Sequence, residues 1–267
     1  MDIGGKPMLR HVLDRLDQAA TLDGIVVATG LSPLDDAIAD ACQDWMVPYY
    51  RGSDYDVLAR ILGAAREYDA TIVVRVTADC PLIDPDVLDD CVQPLLDSNS
   101  NQDWDLVLNR LPPPGKRTFP IGLDVEACRR DALEKAAAES VAPHQREHVM
   151  PYIYENSTLF ERRDTNTEVS SSSGTGRFSV LLLHLEENLG NLRWTVDTSE
   201  DLDAVRTLYA TVASQPGFRW HDLLETVRAN PQIALSNSGA QQREFRHVDS
   251  RSSNAPMRAQ DVEPGET

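Results

Sequence analysis

Short β-branched runs alternate with amphipathic stretches through the first hundred residues, the pattern of βαβ units in a mostly parallel sheet. Leu9, Val12, Leu13 and Leu16 recur at helical spacing behind Pro7, which suits a first helical position. Gly24-Ile-Val-Val-Ala-Thr29 reads as a buried strand, and Ser32-Pro33 opens a helix to about Cys42. Pro48–Arg51 predicts a short strand, after which Ser53 or Asp54 caps a helix carrying Val57, Leu58, Ile61, Leu62 and Ala65. A strand over 71–76 and a helix begun by Asp84-Pro85 complete this half.

Past residue 98 the texture changes. Ser98–Gln102 reads as a loop, Asp105–Asn109 as a strand, Pro112-Pro-Pro-Gly115 as a break, and Gly122–Glu126 as another strand. Helices are expected over about Arg130–Glu139 and His144–Glu155, and a mobile polar loop over 166–176. Arg193–Val196 reads as a strand, with Thr198 and Asp201 forming a capping box for a last long helix. The pattern predicts one α/β domain over residues 1–235 and a disordered polar tail over 236–267.

Composition narrows the function. A net charge of −18 rules against a general nucleic-acid binder, which needs a basic stripe. Asp outnumbers Glu by 28 to 15 and lysine occurs only three times, which points to a halophilic, high-salt cytoplasm. No apolar run is long enough to cross a membrane. The widely spaced cysteines Cys42, Cys80, Cys91 and Cys128 form no CxxC pair, as expected of reduced, buried thiols in a cytoplasmic protein.

The most informative stretch is Thr71-Ile-Val-Val-Arg-Val-Thr-Ala-Asp79, where a β-branched strand ends at a single acid beyond its carboxyl end. Ligands of open α/β sheets bind in that crevice. Arg193-Trp-Thr-Val-Asp197 repeats the construction far downstream. Two such carboxylates suit Mg²⁺, which takes one or two protein acids and fills its shell with water and substrate phosphates. They equally suit two loop-capping turns, and residue type and spacing leave both readings open. His144 and His148 share a helix face without a third ligand at useful spacing. Cys80 has no histidine partner for nucleophilic work. Tyr152, Tyr154, Trp194 and Trp220 read as core.

The segments Gly4-Gly-Lys-Pro-Met-Leu9, Val26-Val-Ala-Thr29, Arg51-Gly-Ser-Asp54, Arg75-Val-Thr-Ala-Asp-Cys-Pro-Leu-Ile-Asp84, Gly122-Leu-Asp-Val-Glu126, Arg146-Glu-His-Val149, Pro151-Tyr-Ile-Tyr154 and Arg193-Trp-Thr-Val-Asp-Thr198 occur in a recognisable order. Over residues 1–235 the chain resembles the spore-coat polysaccharide protein F family of the cytidylyltransferase superfamily. That resemblance implies a Rossmann-like nucleotide-diphosphosugar transferase fold. It also implies Mg²⁺-dependent transfer of CMP from CTP to an acidic sugar, with release of pyrophosphate, for surface polysaccharide or glycan synthesis. Asp79 and Asp197 match the superfamily's metal ligands, and Asp124 and Glu126 the segment facing the sugar. Arg51, Ser53, Arg60 and Arg75 fall where related enzymes contact substrate. A homodimer is compatible with the resemblance.

The family's pattern begins with an apolar strand and a loop, Ala-Arg-x-x-Ser-x-Arg-Leu-Pro-Gly-Lys, that wraps the triphosphate. The sequence given starts where that loop would end, so a sheet short of its first, inner strand is expected. Gly4-Gly5-Lys6 is no Walker loop, and a structural role is expected for it. An upstream start and a non-catalytic assembly subunit both account for the difference, and a metal-dependent glycosyltransferase of related fold is the nearest chemical rival.

Overall fold

Alternate residues of the central strands point to opposite sides of one sheet, and each side is buried. Val180 and Leu182 join a core with Leu106, Leu108 and Cys128, whereas Leu181 and Leu183 join a second core with Val107 and Ala127. That period of two, apolar on both faces, is the mark of a strand covered by helices above and below. The computed structural model describes residues 1–98, 102–112, 115, 117–163, 170–173, 176–215, 217–237 and 239.

A hairpin of β1 (Asp2–Ile3) and β2 (Lys6–Pro7) turns through Gly4 and Gly5, both at positive φ, and leads into α1 (Met8–Leu16). The Gly-Gly-Lys segment is thus a structural turn, with Lys6 bound to Asp14 at 2.5 Å. Then come β3 (Val27–Gly30), α2 (Asp36–Asp44), β4 (Tyr49–Gly52), α3 (Val57–Glu67), β5 (Ile72–Arg75) and α4 (Pro85–Leu96). The second half holds β6 (Leu106–Leu108), β7 (Glu126–Arg129), α5 (Arg130–Glu139), α6 (Pro143–His148), α7 (Pro151–Glu155), β8 (Ser157–Arg163) and β9 (Ser170–Ser173). It closes with β10 (Phe178–His184), α8 (Ser199–Val212), α9 (Trp220–Ala229) and α10 (Gln232–Leu235).

Six strands form the main sheet in the order β5-β7-β6-β10-β8-β9. β10 runs parallel to β6 and β8, while β5–β7, β6–β7 and β8–β9 are antiparallel. The α/β class stands, but the sheet is mixed rather than mostly parallel, because β7 inserts between β5 and β6 with reversed direction. β3 and β4 make a separate parallel pair, and no ladder among the described residues joins them to β5.

Several element boundaries move from their sequence positions, each for a local reason. Asp56, not Ser53 or Asp54, caps α3 by accepting the Ala59 N–H at 2.9 Å. Gly122–Val125 is not strand. Gly122 sits at φ 106°, and a Cβ there would meet the Trp194 carbonyl carbon at 2.6 Å, so the chain turns before pairing begins at Glu126. The helix expected over 144–155 is two, broken where Val149 takes φ 74° ahead of Pro151. β9 pairs with β8 inside the stretch expected to be a loop; the remainder of 164–175 lies outside the described residues. So do most of the expected loop at 98–102 and nearly all of the tail expected over 236–267. Arg193–Val196, expected as a strand, forms none and bends at Thr195, with an isolated bridge from Ile121 to Arg193.

Two buried acids pin the helices to this frame. Asp84, fully buried, caps α4, accepts the Trp220 N–H at 2.7 Å and pairs with Arg15 at 3.0 Å, which ties α1, α4 and α9 together. Asp201 closes the capping box with Thr198 at the start of α8, as its spacing predicted.

Candidate functional site

Three segments from distant parts of the chain meet to form one wall. The turn after β5 is stapled to the stretch before α8, since the Val196 N–H and the Thr195 hydroxyl both donate to the Asp79 carbonyl, at 2.9 and 3.1 Å. The 121–126 segment lies against the same stretch, with the Trp194 N–H on the Ile121 carbonyl at 2.7 Å. The turn that carries Asp79 and the stretch that carries Asp197, 118 positions apart in the chain, are thereby joined at the Asp79 carbonyl by a backbone N–H and a side-chain hydroxyl.

Each acid keeps one oxygen uncommitted among the described residues. Asp79 Oδ1 accepts from the Thr77 hydroxyl and, at 3.4 Å, from the Cys80 thiol. Asp197 Oδ2 accepts from Arg193 at 2.5 Å, and its side chain is half exposed. No group of three or more His, Cys, Asp or Glu residues gathers to hold a metal among the described residues. The donor set at Asp79 and Asp197 is two hard carboxylate oxygens, which fits a cation completing its shell with water and phosphate oxygens. His144 pairs instead with Glu155 at 2.8 Å.

Cys80 is buried beside them. Burial first, and then the negative charges of Asp79 and Asp124, hold its thiol protonated, well above its usual range. A nucleophilic thiolate is disfavoured at this position.

Next along the wall is a cluster of alternating charge. Glu126 and Arg75 are register partners across β5–β7, and Arg75 donates to Glu126 at 2.6 Å. Arg117 grips both oxygens of Asp124, at 2.5 and 3.0 Å. Arg110 stands 3.6 Å from Asp124 and 3.5 Å from Glu126, and its buried Nε has no hydrogen-bond partner. Three guanidinium groups thus face two carboxylates. Beside Arg117 opens a cavity of about 550 Å³, lined also by Leu111, Ile121, Asn188 and Asn191.

The remaining expected contacts lie on the separate β3–β4 piece. Arg51 is spent on the Gly30 and Ser32 carbonyls and on Asp36, which makes it a brace for the loop after β3. Ser53 accepts the Asp56 N–H at 3.0 Å and, through its carbonyl, Arg60 at 2.6 Å. Burial pulls the Arg60 pKa down against the opposing attraction of Asp35 and Asp54, and Arg75 is near enough to add repulsion. Arg60 therefore sits between the two pieces, near both clusters. Arg146 binds Asp56 and the Ala137 carbonyl, so it props the start of α3. Trp194 and Trp220 are core, as expected.

The sequence reading missed Arg110 and Arg117, which flank a Pro-rich break without any motif. It also missed Asn237, buried although its neighbours are polar. Asn237 Nδ2 donates to Asp201 at 2.9 Å and to the Arg193 carbonyl at 3.0 Å.

Comparison with known proteins adds the following. A family model described as cytidylyltransferase matches residues 1–203. An uncharacterized protein of Methanocaldococcus jannaschii is 32% identical, covering 93% of this chain and 91% of that protein. The spore coat polysaccharide biosynthesis protein SpsF of Bacillus subtilis is 24% identical over 87% of this chain and 88% of its own length. Among solved structures, a cytidylyltransferase from Leptospira borgpetersenii superposes with a TM-score of 0.74 at 28% identity, covering 91% of each chain. A CMP:2-keto-3-deoxy-manno-octonic acid synthetase complexed with CTP gives 0.53 at 18% identity, covering 79% of this chain and 90% of that one, a likeness of fold.

Proposed function

Since the chain belongs to the cytidylyltransferase family, we propose that it transfers CMP from CTP to the hydroxyl of an acidic sugar and releases pyrophosphate. The observation that carries this reading is the stapling of the Asp79 turn to the Asp197 stretch, which leaves two carboxylates with a free oxygen each on one wall. Asp79 and Asp197 would hold Mg²⁺, which when bound neutralises phosphate charge and orients the α-phosphate for in-line attack. Arg60, whose buried Nε has no hydrogen-bond partner, would stabilise phosphate oxygens as charge develops on the leaving group. Asp124 and Glu126, fixed by Arg117 and Arg75, would accept hydrogen bonds from sugar hydroxyls.

Two features favour an acidic sugar. Three arginines stand against Asp124 and Glu126, and the buried Arg110 Nε among them has no hydrogen-bond partner. The adjoining cavity has the volume of a small-ligand site.

Incubating the chain with CTP, Mg²⁺ and a panel of neutral and acidic sugars tests the proposal. Pyrophosphate and a CMP-sugar are the expected products, with acidic sugars preferred. Release of a nucleoside diphosphate would instead make it a glycosyltransferase, and silence with every sugar would favour a binding or assembly role. Asp79→Asn is expected to lower turnover by at least about a hundredfold without loss of fold, as removal of a main electrostatic group does elsewhere.

A further inference from the structure

Asp197 is exposed, yet its place is set by buried groups. Arg193, 6% exposed, holds Asp197 Oδ2 through Nη2 and grips both oxygens of Asp201 through Nε and Nη2, at 2.8 and 3.0 Å. Asp201 is fully buried and also accepts the backbone N–H groups of Asp197 and Thr198, at 3.2 and 3.0 Å. One further donor completes this arrangement. Asn237, 2% exposed, follows α10, which packs on α8 and α9, and its amide reaches back across the chain to bridge Asp201 Oδ1 and the Arg193 carbonyl.

The two atoms that Asn237 joins bracket Asp197 in sequence. One belongs to the residue whose guanidinium holds the Asp197 carboxylate, and the other to the acid that holds the Asp197 backbone. An amide with both contacts spent on these anchors fixes the loop between them, and with it the direction of the Asp197 side chain. We propose that Asn237 is a positioning residue for Asp197, so that a residue lying beyond the family-matched segment sets metal affinity at the site. The inference rests on the metal-holding role assigned to Asp197 above. Partners of this kind, which orient a ligand without touching the metal, typically contribute about 10–100-fold in metal affinity or activity.

Two substitutions separate hydrogen bonding from packing: Asn237→Ala removes both volume and donors, and Asn237→Leu removes the donors while keeping the branched shape and filling the space. Mn²⁺ titration by the paramagnetic signal of the free ion reads metal binding without turnover, and pyrophosphate release against Mg²⁺ and CTP reads activity. Both variants are expected to need about tenfold more metal for half-saturation, with the KM for CTP held within about twofold of its original value. Amide exchange at Asp197 and Thr198 is expected to accelerate in both. Unchanged metal affinity in a folded variant overturns the inference, as does a defect in Asn237→Ala that Asn237→Leu restores. Unfolding of both variants assigns Asn237 to stability and overturns it too. If the unsubstituted chain neither binds Mn²⁺ nor releases pyrophosphate, the functional reading itself falls and takes this inference with it.

Discussion

Asp84 and Asp201 are both fully buried and both paired with a buried arginine, yet they titrate in opposite directions. Burial opposes the charge of each. At Asp84 it prevails over Arg15 and the Trp220 N–H, and the pKa rises. At Asp201 the bonds from Arg193 and Asn237, with the Asp197 N–H, outweigh it and the pKa falls. The signs matter for stability. A raised carboxyl contributes at low pH and loses that contribution as pH rises through its folded value, so at Asp84 the ionised form is the costly one. A depressed carboxyl contributes above its unfolded value and loses that contribution as pH falls through the folded one. Asp201→Asn is therefore expected to cost about 3–5 kcal/mol at pH 7, because Arg193 loses its buried partner. The gap from the unsubstituted protein should stay level down to about pH 4 and narrow below it. Urea midpoints from pH 7 to pH 2 check this, and a gap that widens on acidification contradicts it.

Among the elements, those with local chemistry were legible in the sequence and those fixed by distant contacts were not. Asp84-Pro85 and the Thr198–Asp201 box mark the starts of α4 and α8 because a cap and its target lie within three residues. The Asp79 turn was readable from a β-branched run ending at an acid, whereas its bonding to the 195–196 stretch is a contact between distant segments that no spacing encodes. By contrast, β7 begins four residues later than its apolar pattern predicted, because Gly122 must pass against Trp194 before pairing starts. Asn237 acts across the fold, and Arg117 reaches Asp124, seven residues on, from a Pro-rich break, so no motif announces either. Arg51, expected at substrate, bonds within its own neighbourhood to the Gly30 and Ser32 carbonyls and to Asp36. The approach at Gly122 carries an expectation of its own. With φ at 106° and no room for a Cβ, Gly122→Ala should destabilise the protein by more than about 1 kcal/mol and push Asp124 away from the Asp79 wall. Thermal melting reads the first effect, and a raised KM for sugar with an unaltered KM for CTP reads the second.

At the scale of the whole molecule, the sheet comes in two pieces, and the residues expected from the sequence at substrate or metal ride on both. Arg51, Ser53 and Arg60 belong to the β3–β4 side, whereas Asp79, Asp124, Glu126 and Asp197 belong to the six-stranded side. Helix α3 spans the division, packing on β3 and β4 and also on α5 and α6. Backbone hydrogen bonds, which make a sheet open and close as a unit, do not cross from one piece to the other among the described residues. Cooperativity should therefore stop at that line. The β3–β4 amides are expected to exchange through a local opening of lower free energy than those of β6 and β10, which open only with the whole domain. Native-state hydrogen exchange in rising denaturant distinguishes the two: separate isotherms are expected, and a single shared one would show that side-chain packing across the division welds the pieces together. A molecule built this way has two thermodynamic parts, and a ligand touching both would be what makes them one.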